Sequence, residues 1–183
     1  MPVTVLRHRD RIPTRWANGG GITYEALRMP AGDSPFDWRI SFAEVATEGP
    51  FSSYPGIDRT LIVVDGAGMV LDMDGHQVDV PLHAPVHFAG EMPVVGLLPR
   101  GPVSDCNVMV RRGVARATVT VLDGSDRTVV AQRDATTIVA VLAGAWAMPD
   151  ANELLGPRDC VVLDGDLALV GHGVLARFVI ATR

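Results

Sequence analysis

The chain has 183 residues, 48% of them hydrophobic and 20% charged, so it can build a core without disulfides or a structural metal. Its 16 basic residues are all arginine and are outnumbered by 21 acidic ones, which gives a net charge of −5. Because the arginines form no basic stripe, nucleic acid is excluded as an expected partner. The absence of lysine also excludes catalysis through a lysine Schiff base and phosphate binding by a P-loop.

The sequence also argues against a secreted or membrane protein. Residues 7–11 (RHRDR) are polar where the apolar part of a signal peptide would lie. The longest charge-free stretch of the second half, residues 135–149, is shorter than the roughly 20 apolar residues that span a bilayer. We therefore expect a soluble, cytoplasmic protein with no membrane partner.

The first unusual segment is a glycine loop, residues 16–23 (WANGGGIT), which leads into a predicted strand. Three consecutive glycines allow backbone amides to approach a ligand closely, so the loop could form an anion nest flanked by Trp16 and Asn18. A flexible turn is the alternative. The loop is not a nucleotide fingerprint, because no crossover helix follows it.

Short runs of Val, Ile, Leu and Thr, bounded by Gly, Pro and Asp, predict an all-β chain. In segment 36–45, Trp38, Ile40 and Phe42 alternate with Arg39 and Ser41, the period of a strand with two unlike faces. The alternation favours solvent for the polar face, and a pocket wall is the alternative. Segments 22–28 and 105–112 are read as strands in the same way.

Four Asp-Gly pairs, which begin at Asp65, Asp74, Asp123 and Asp164, lie between such runs. This dipeptide readily adopts the positive φ angles of tight turns, so each pair predicts a hairpin.

A faint internal repeat indicates duplication within the chain. Strand, glycine turn, strand, Pro-Asp turn and strand occur in the same order in residues 60–98 and again in residues 137–182. The repeat predicts two barrels or sandwiches. The alternative is that the similarity is no more than the strand and turn pattern common to β-sheet sequences. We place one domain at residues 1–115, which carry most of the unusual residues and the expected pocket, and the other at residues 116–183, packed on the first.

Arg59 and a set of three residues on one strand face stand out in the first half of the chain. Arg59 directly precedes the apolar run 60–64, where a guanidinium at a barrel mouth can bind a carboxylate through two hydrogen bonds. In segment 101–112, Asp105, Asn107 and Met109 share one strand face and could offer a small ligand an acceptor, an amide and a thioether. A solvated face is the alternative there.

The sequence predicts no cofactor and no metal site. His76, His83 and His87 lack the His-x-His spacing of metal-binding β-barrels, and the second half contains only His172. Neither of the two cysteines has a histidine close to it in the sequence. The sequence therefore does not favour catalysis by a nucleophilic thiol.

Read together, the motifs WANGGGITYE, WRISFAEV, GPFSSYPGIDR and LPRGPVSDCNVMVRR resemble those of the HutD family, which includes the Ves proteins. The resemblance is specific up to Arg112 and continues to the C-terminus only as a β-strand pattern. It implies a cupin-like, duplicated (bicupin) barrel fold and no established enzymatic activity. It also implies that the protein modulates bacterial histidine utilisation by binding a small intermediate such as urocanate or formylglutamate.

The resemblance also implies which residues form the ligand site. Two segments depart from the family pattern: Cys106 replaces a more frequent aromatic residue, and residues 88–91 (FAGE) replace a more acidic turn. The family's signature positions also include Gly21, Glu25, Trp38, Gly56, Arg111 and Arg112. The residues expected to bind the ligand are Trp16, Asn18, Gly19, Gly20, Thr23, Arg39, Ser41, Phe51, Ser52, Arg59, Asp105, Asn107 and Met109.

Three functional hypotheses remain at this point. The first is a non-enzymatic sensor that binds a small anionic metabolite through these residues. The second is a metal-independent cupin enzyme, an isomerase, epimerase or hydrolase, that acts on a small carboxylate with Glu25, Asp105 or a histidine as general base. The third is an interaction module whose polar faces join subunits, and a homodimer is compatible with all three.

Overall fold

The computed structural model describes residues 3–32 and 35–183, and strands make up 64% of the chain. The chain divides into two units, Ile12–Ala115 on the one hand and residues 3–11 with Arg116–Arg183 on the other. The N-terminal segment therefore groups with the second half of the chain rather than with the residues that follow it. Among the described residues, no helix has the length and apolar character needed to cross a membrane.

Two short 3-10 helices, His8–Asp10 and Pro149–Ala151, accompany the strands. In chain order the strands are β1 (Thr4–Leu6), β2 (Pro13–Arg15), β3 (Gly21–Met29), β4 (Trp38–Val45), β5 (Gly49–Pro50), β6 (Ile57–Asp65), β7 (Met69–Met73), β8 (His76–Val80), β9 (Pro85–Ala89), β10 (Val94–Leu97), β11 (Val103–Arg111), β12 (Ala115–Val129), β13 (Thr136–Met148), β14 (Glu153–Leu155), β15 (Cys160–Leu163) and β16 (Leu167–Thr182).

The unit Ile12–Ala115 contains two antiparallel sheets. One has the strand order β2-β3-β4-β11-β6-β9, and the other has the order β5-β10-β7-β8. Apolar side chains from both sheets form one cluster, in which Leu61 and Val63 of β6 pack with Met69 and Leu71 of β7. Burial of this shared apolar surface holds the two sheets together.

Strand β4 is buried on both faces. Trp38, Ile40 and Phe42 are almost completely buried, as the alternation predicts, but Ser41 is only 3% exposed and Arg39 is half-buried. The expectation of a solvated polar face is therefore wrong. Alternation of polar and apolar residues indicates that the two faces of a strand differ. It does not indicate whether solvent or other residues cover the polar face.

Only one of the four Asp-Gly pairs forms a hairpin turn among the described residues. Asp74 and its glycine have φ of 52° and 85° and connect β7 directly to its partner β8. The pair at Asp65 joins β6 to β7, which lie in different sheets, and the pair at Asp164 joins β15 to β16, which both pair with β13. The pair at Asp123 lies inside β12. These three hairpin predictions are wrong. The dipeptide allows the chain to turn, but it does not determine whether the strands before and after it pair with each other.

The second unit contains one sheet with the order β1-β15-β13-β16-β12, and β14 pairs with β13. Its core includes Val139, Trp146, Val161 and Leu175. The N-terminal segment belongs here because β1 pairs with β15 and because Arg7 forms an ion pair with Asp159 at 2.9 Å.

Candidate functional site

A cavity of about 460 Å³ lies within the unit Ile12–Ala115, a volume typical of small-molecule sites. Strands β2, β3, β4, β6 and β11 contribute to it, as do the glycine loop and the segment 50–54. Its lining residues are Thr14, Trp16, Ala17, Asn18, Thr23, Glu25, Arg39, Ser41, Ala43, Pro50, Phe51, Ser52, Tyr54, Arg59, Asp105, Asn107 and Met109.

All of the ligand-site residues expected from the sequence line this cavity except Gly19 and Gly20. Sequence reasoning missed Thr14, Ala17, Ala43, Pro50 and Tyr54, and it named Glu25 as a family position and a possible base but not as a ligand-binding residue. Strand parity could have found Ala43, because it follows Arg39 and Ser41 at alternate positions of β4. Tyr54 lies inside the motif GPFSSYPGIDR and could have been chosen with its neighbours.

The polar residues at the bottom of the cavity form a regular pattern across β4, β11 and β6. Met109 pairs with Arg39 on β4 and with Arg59 on β6. Two residues earlier on β11, Asn107 pairs with Ser41, and two residues earlier again comes Asp105. Directly paired residues of antiparallel strands point to the same face, so these side chains all enter the cavity. We call this set, Arg39, Ser41, Arg59, Asp105, Asn107 and Met109, the cavity floor.

A chain of hydrogen bonds joins three floor residues. Arg59 Nη2 donates to Asn107 Oδ1 at 2.7 Å, and Asn107 Nδ2 donates to Asp105 Oδ1 at 2.7 Å. Because a guanidinium only donates, the carbonyl oxygen of Asn107 must face Arg59 and its amide nitrogen must face Asp105. The Asn107 amide therefore has one fixed orientation.

Aromatic rings hold the Arg59 guanidinium in place. Its central carbon lies 5.1 Å from the ring centre of Phe51, 5.9 Å from that of Tyr54 and 5.0 Å from that of Phe88. These are cation–π distances. Arg59 is 7% exposed, and burial lowers the pKa of its guanidinium, an effect that the nearby Asp105 carboxylate opposes. Its Nε has no hydrogen-bond partner among the described residues.

Arg39 is held in a similar way from the opposite side of Met109. Its Nη2 lies 3.2 Å from Met109 Sδ, and its guanidinium stacks 5.0 Å from the ring centre of Phe36 and 5.6 Å from that of Tyr54. The Nε of Arg39 is likewise buried without a hydrogen-bond partner in the described part of the chain. Both floor arginines thus have a buried N–H donor without a hydrogen-bond partner among the described residues.

Asp105 is the one acidic residue of the cavity floor. It is 1% exposed, and burial raises the pKa of its carboxyl to about 7, against the opposing effects of Arg59 and of the Asn107 hydrogen bond. Near neutral pH the carboxyl therefore populates both its protonated and its ionised form.

The glycine loop does not form the expected anion nest. The amide of Gly19 donates to Trp16 O at 3.0 Å, and the amide of Gly20 donates to Asn18 Oδ1 at 3.0 Å. Both amides are therefore used within the turn, and neither glycine lines the cavity. The loop instead positions Trp16, whose Nε1 donates to Thr23 Oγ1 at 2.8 Å at the edge of the cavity.

The absent side chain of Gly21 makes room for the indole. A Cβ at this position would lie 2.5 Å from the Glu44 carbonyl oxygen and 3.1 Å from the nearest atoms of the Trp16 ring. Steric contacts therefore favour glycine at position 21. The backbone conformation favours glycine at position 19, since the φ of Gly19 is 73°.

The remaining histidine and cysteine candidates lie elsewhere. His87 Nδ1 shares a hydrogen bond of 2.7 Å with Thr60 Oγ1, between β9 and β6. Burial raises the pKa of the Cys160 thiol to about 11, which disfavours the thiolate. Within residues 3–32 and 35–183, the structure brings together no group of three or more His, Cys, Asp or Glu side chains able to hold a metal ion.

Comparisons with known proteins identify the family. The HutD family model matches residues 8–175. Protein Ves from Cronobacter sakazakii is 40% identical over 145 residues, which cover 78% of this chain and 77% of that protein. An uncharacterized 21.2 kDa protein in the hutC 3′ region of Pseudomonas putida is 32% identical over 181 residues, covering 95% of this chain and 93% of that protein.

Solved structures agree with this result. HutD from Pseudomonas fluorescens SBW25 has a TM-score of 0.87 and 30% identity, with full coverage of both chains. A Cupin 2 conserved barrel domain protein from Leptotrichia buccalis has a TM-score of 0.58 at 12% identity, covering 94% of this chain and 92% of that one, and it shows that the fold is cupin-like. The chain belongs to the HutD family.

Proposed function

We propose that this protein binds a small carboxylate in the cavity of the unit Ile12–Ala115 and modulates histidine utilisation in the cytoplasm without catalysing a reaction. Candidate ligands are intermediates of histidine degradation such as urocanate or formylglutamate. One observation carries the proposal: two guanidinium groups, those of Arg39 and Arg59, stand on the floor of one cavity of suitable volume. The relative in the hutC 3′ region of P. putida supports the link to this pathway.

The floor suits a carboxylate in both charge and geometry. Guanidinium groups bind carboxylates through paired N–H donors, and such charge-assisted bonds are roughly twice as strong as neutral ones. Arg39 and Arg59 both line the cavity, and the bond to Asn107 fixes the orientation of the Arg59 guanidinium. Burial strengthens these interactions because little water competes for the donors.

The upper part of the cavity suits the rest of a small ligand. Trp16 and Phe51 are half-buried aromatic residues that line it, and they can cover an apolar or planar portion of the ligand. Exposed Asn18 and Ser52 add polar groups at the entrance. The amides of Gly19 and Gly20 take no part, because the turn uses them.

We also infer that the two units form a duplicated cupin pair. Each unit is an antiparallel β structure with its own apolar cluster, and this arrangement supports an origin of the chain in two cupin-like halves. The cavity described above belongs to the unit Ile12–Ala115 alone.

Titration calorimetry tests the proposal directly. Wild-type protein is titrated with urocanate, formylglutamate and histidine, and at least one of them is expected to bind. Arg59→Ala is expected to weaken that binding by about 2–5 kcal/mol if its guanidinium pairs with a buried carboxylate. Arg100→Ala is the matched control, because Arg100 is exposed and pairs with Asp79 on the surface. The absence of heat with all three compounds, with folded protein at high concentration, would overturn the proposal.

One observation favours a second candidate function, that of a metal-independent enzyme acting on a small carboxylate. The buried Asp105 carboxyl lines the cavity with its pKa raised to about 7, which suits a general acid or base near neutral pH. An isomerase, epimerase or hydrolase would then turn over a candidate carboxylate, and Asp105→Asn would abolish turnover while leaving binding measurable. Binding without any turnover favours the sensor.

A further inference from the structure

We propose that Asp105 is a specificity-determining residue that selects, among small carboxylates, those that also carry an N–H donor. In this arrangement the floor arginines bind the carboxylate of the ligand, and Asp105 accepts a hydrogen bond from a ring or amide N–H of the same molecule. The inference rests on the proposed function, because it concerns the same cavity and requires that carboxylates bind there.

The first support is the unused hydrogen-bonding capacity of Asp105. Its Oδ1 accepts the bond from Asn107 Nδ2, and no other residue of the ranges 3–32 and 35–183 donates a hydrogen bond to this carboxyl. An ionised carboxylate has about four acceptor sites on its two oxygens. Asp105 lines the cavity but is only 1% exposed, so a ligand N–H would reach its remaining acceptor sites by packing directly against the cavity floor.

The second support is the order of charges along the floor. Arg59 Nη2 donates a hydrogen bond to Asn107. Asp105 lies two residues before Asn107 on the same face of β11, so its backbone is about 7 Å away. A ligand as short as an amino acid or an imidazole carboxylate can therefore place its carboxylate by the arginines and its N–H by Asp105. A second carboxylate at the Asp105 end would meet a like charge instead, which disfavours simple dicarboxylates.

The third support is energetic. A buried carboxylate with one neutral hydrogen-bond donor is poorly solvated, and burial accordingly raises its pKa to about 7. Other titratable or charged groups that line the same cavity are Arg59 on β6, Arg39 on β4, Glu25 on β3, and Tyr54. A ligand N–H would satisfy the carboxylate and favour its ionised form, so binding at a pH below 7 should release a proton from Asp105.

A matched ligand pair tests the inference. A trans pyrrolylacrylate and the corresponding furylacrylate share the acrylate group and a five-membered ring, but only the pyrrole ring carries an N–H, and neither ring has a basic nitrogen that could take up a proton. We expect the wild-type protein to bind the pyrrole compound about 10- to 100-fold more tightly than the furan compound, the range expected for a hydrogen bond to a charged group. Calorimetry in buffers of different ionisation enthalpy should detect proton release with the pyrrole compound at pH 6 to 7, and none with the furan compound.

Variants identify the residue responsible for the preference. Asp105→Asn keeps the shape and the bond to Asn107 but turns an amide donor towards the cavity, where the pyrrole ring offers no acceptor nitrogen, so the preference for the pyrrole compound should fall to about threefold or less while binding of the furan compound persists. Asp79→Asn makes the same change at an exposed position and should keep the full preference.

Each outcome has one meaning. If neither compound nor any other carboxylate tested binds the wild-type protein, the proposed function itself fails. If the pyrrole and furan compounds bind wild type equally well, or if Asp105→Asn keeps the preference, the inference fails while carboxylate binding stands. Should Asp105→Asn not fold, the wild-type affinity ratio and the proton release decide the question alone.

Discussion

Arg39 and Arg59 pair with the same residue, Met109, from the two strands on either side of β11. Their backbones are therefore two strand spacings apart, about 10 Å, while both guanidinium groups stack on the ring of Tyr54 at 5.6 and 5.9 Å. Aromatic contacts hold both cations in place before any ligand arrives. Groups that are already ordered lose less conformational entropy on binding, so this arrangement favours affinity.

Tyr54 should therefore contribute to binding through the arginines that it supports. Tyr54→Leu removes the ring shared by both guanidinium groups and should weaken binding of the calorimetric ligand by about 3- to 10-fold, in line with cation–π energies at partly exposed sites. Tyr54→Phe keeps the ring and should bind within about twofold of wild type. Wild-type affinity in Tyr54→Leu would show that the ring does not support the site.

The pH dependence of stability should report Asp105. Its folded-state pKa of about 7 lies above the ordinary value of 3.8, so between these values the folded protein binds more protons than the unfolded chain. The stabilisation is fully present below about pH 3.8 and is lost as the pH rises through 7. Urea unfolding of ligand-free wild type should therefore show lower stability at pH 8 than at pH 5.

Asp105→Asn removes this titration and should flatten the difference between pH 5 and pH 8, whereas Asp79→Asn, an exposed control, should not. An equal loss of stability in wild type and in Asp105→Asn over this range would contradict the raised pKa.

Trp16 should act as an internal reporter of binding. It is half-buried at the cavity, whereas Trp38 and Trp146 are each 1% exposed in the cores of the two units. Formylglutamate, or whichever candidate binds, should change the tryptophan emission of wild type, and Trp16→Phe should abolish the change. A full response in the Trp16→Phe variant would place the ligand elsewhere.

Gly21 should be needed for stability because of the space it leaves. In Gly21→Ala the new methyl group would meet the Glu44 carbonyl oxygen and the Trp16 ring, which should lower the free energy of unfolding by about 1–3 kcal/mol. Gly49→Ala is the control, since a Cβ there has no neighbour within 4 Å, and it should be nearly neutral. Equal stability of the two variants in urea titrations would be evidence against this account of the loop.

The sequence predicted the positions of strands more reliably than the burial and contacts of their side chains. Alternation identified β4 and β11 correctly, because side chains of a strand alternate whatever lies beside it. It misplaced Ser41 in solvent, because burial depends on residues distant in sequence. The glycine loop shows the same limit: glycines at residues 19–21 indicated unusual backbone, but only the fold shows that the amides of Gly19 and Gly20 are used within the turn.

The site itself was largely accessible from motifs. Arg59, Asp105 and Asn107 were recognised as polar groups on predicted strands, and the fold brings them into one hydrogen-bonded chain. What the sequence did not reveal is that Asn107 connects the other two, because this depends on the register that pairs β11 with β6. The motif could have indicated Tyr54 as a site residue, but its contact with both guanidinium groups could not be predicted, because the two arginines come from different strands.

The most direct measurement is a crystal structure of the protein grown with the carboxylate that binds best in calorimetry. We expect the ligand to lie inside the cavity of the unit Ile12–Ala115, with its carboxylate within hydrogen-bonding distance of Arg39 or Arg59. A ligand seated away from the cavity floor, or with its carboxylate turned away from both guanidinium groups, would contradict it.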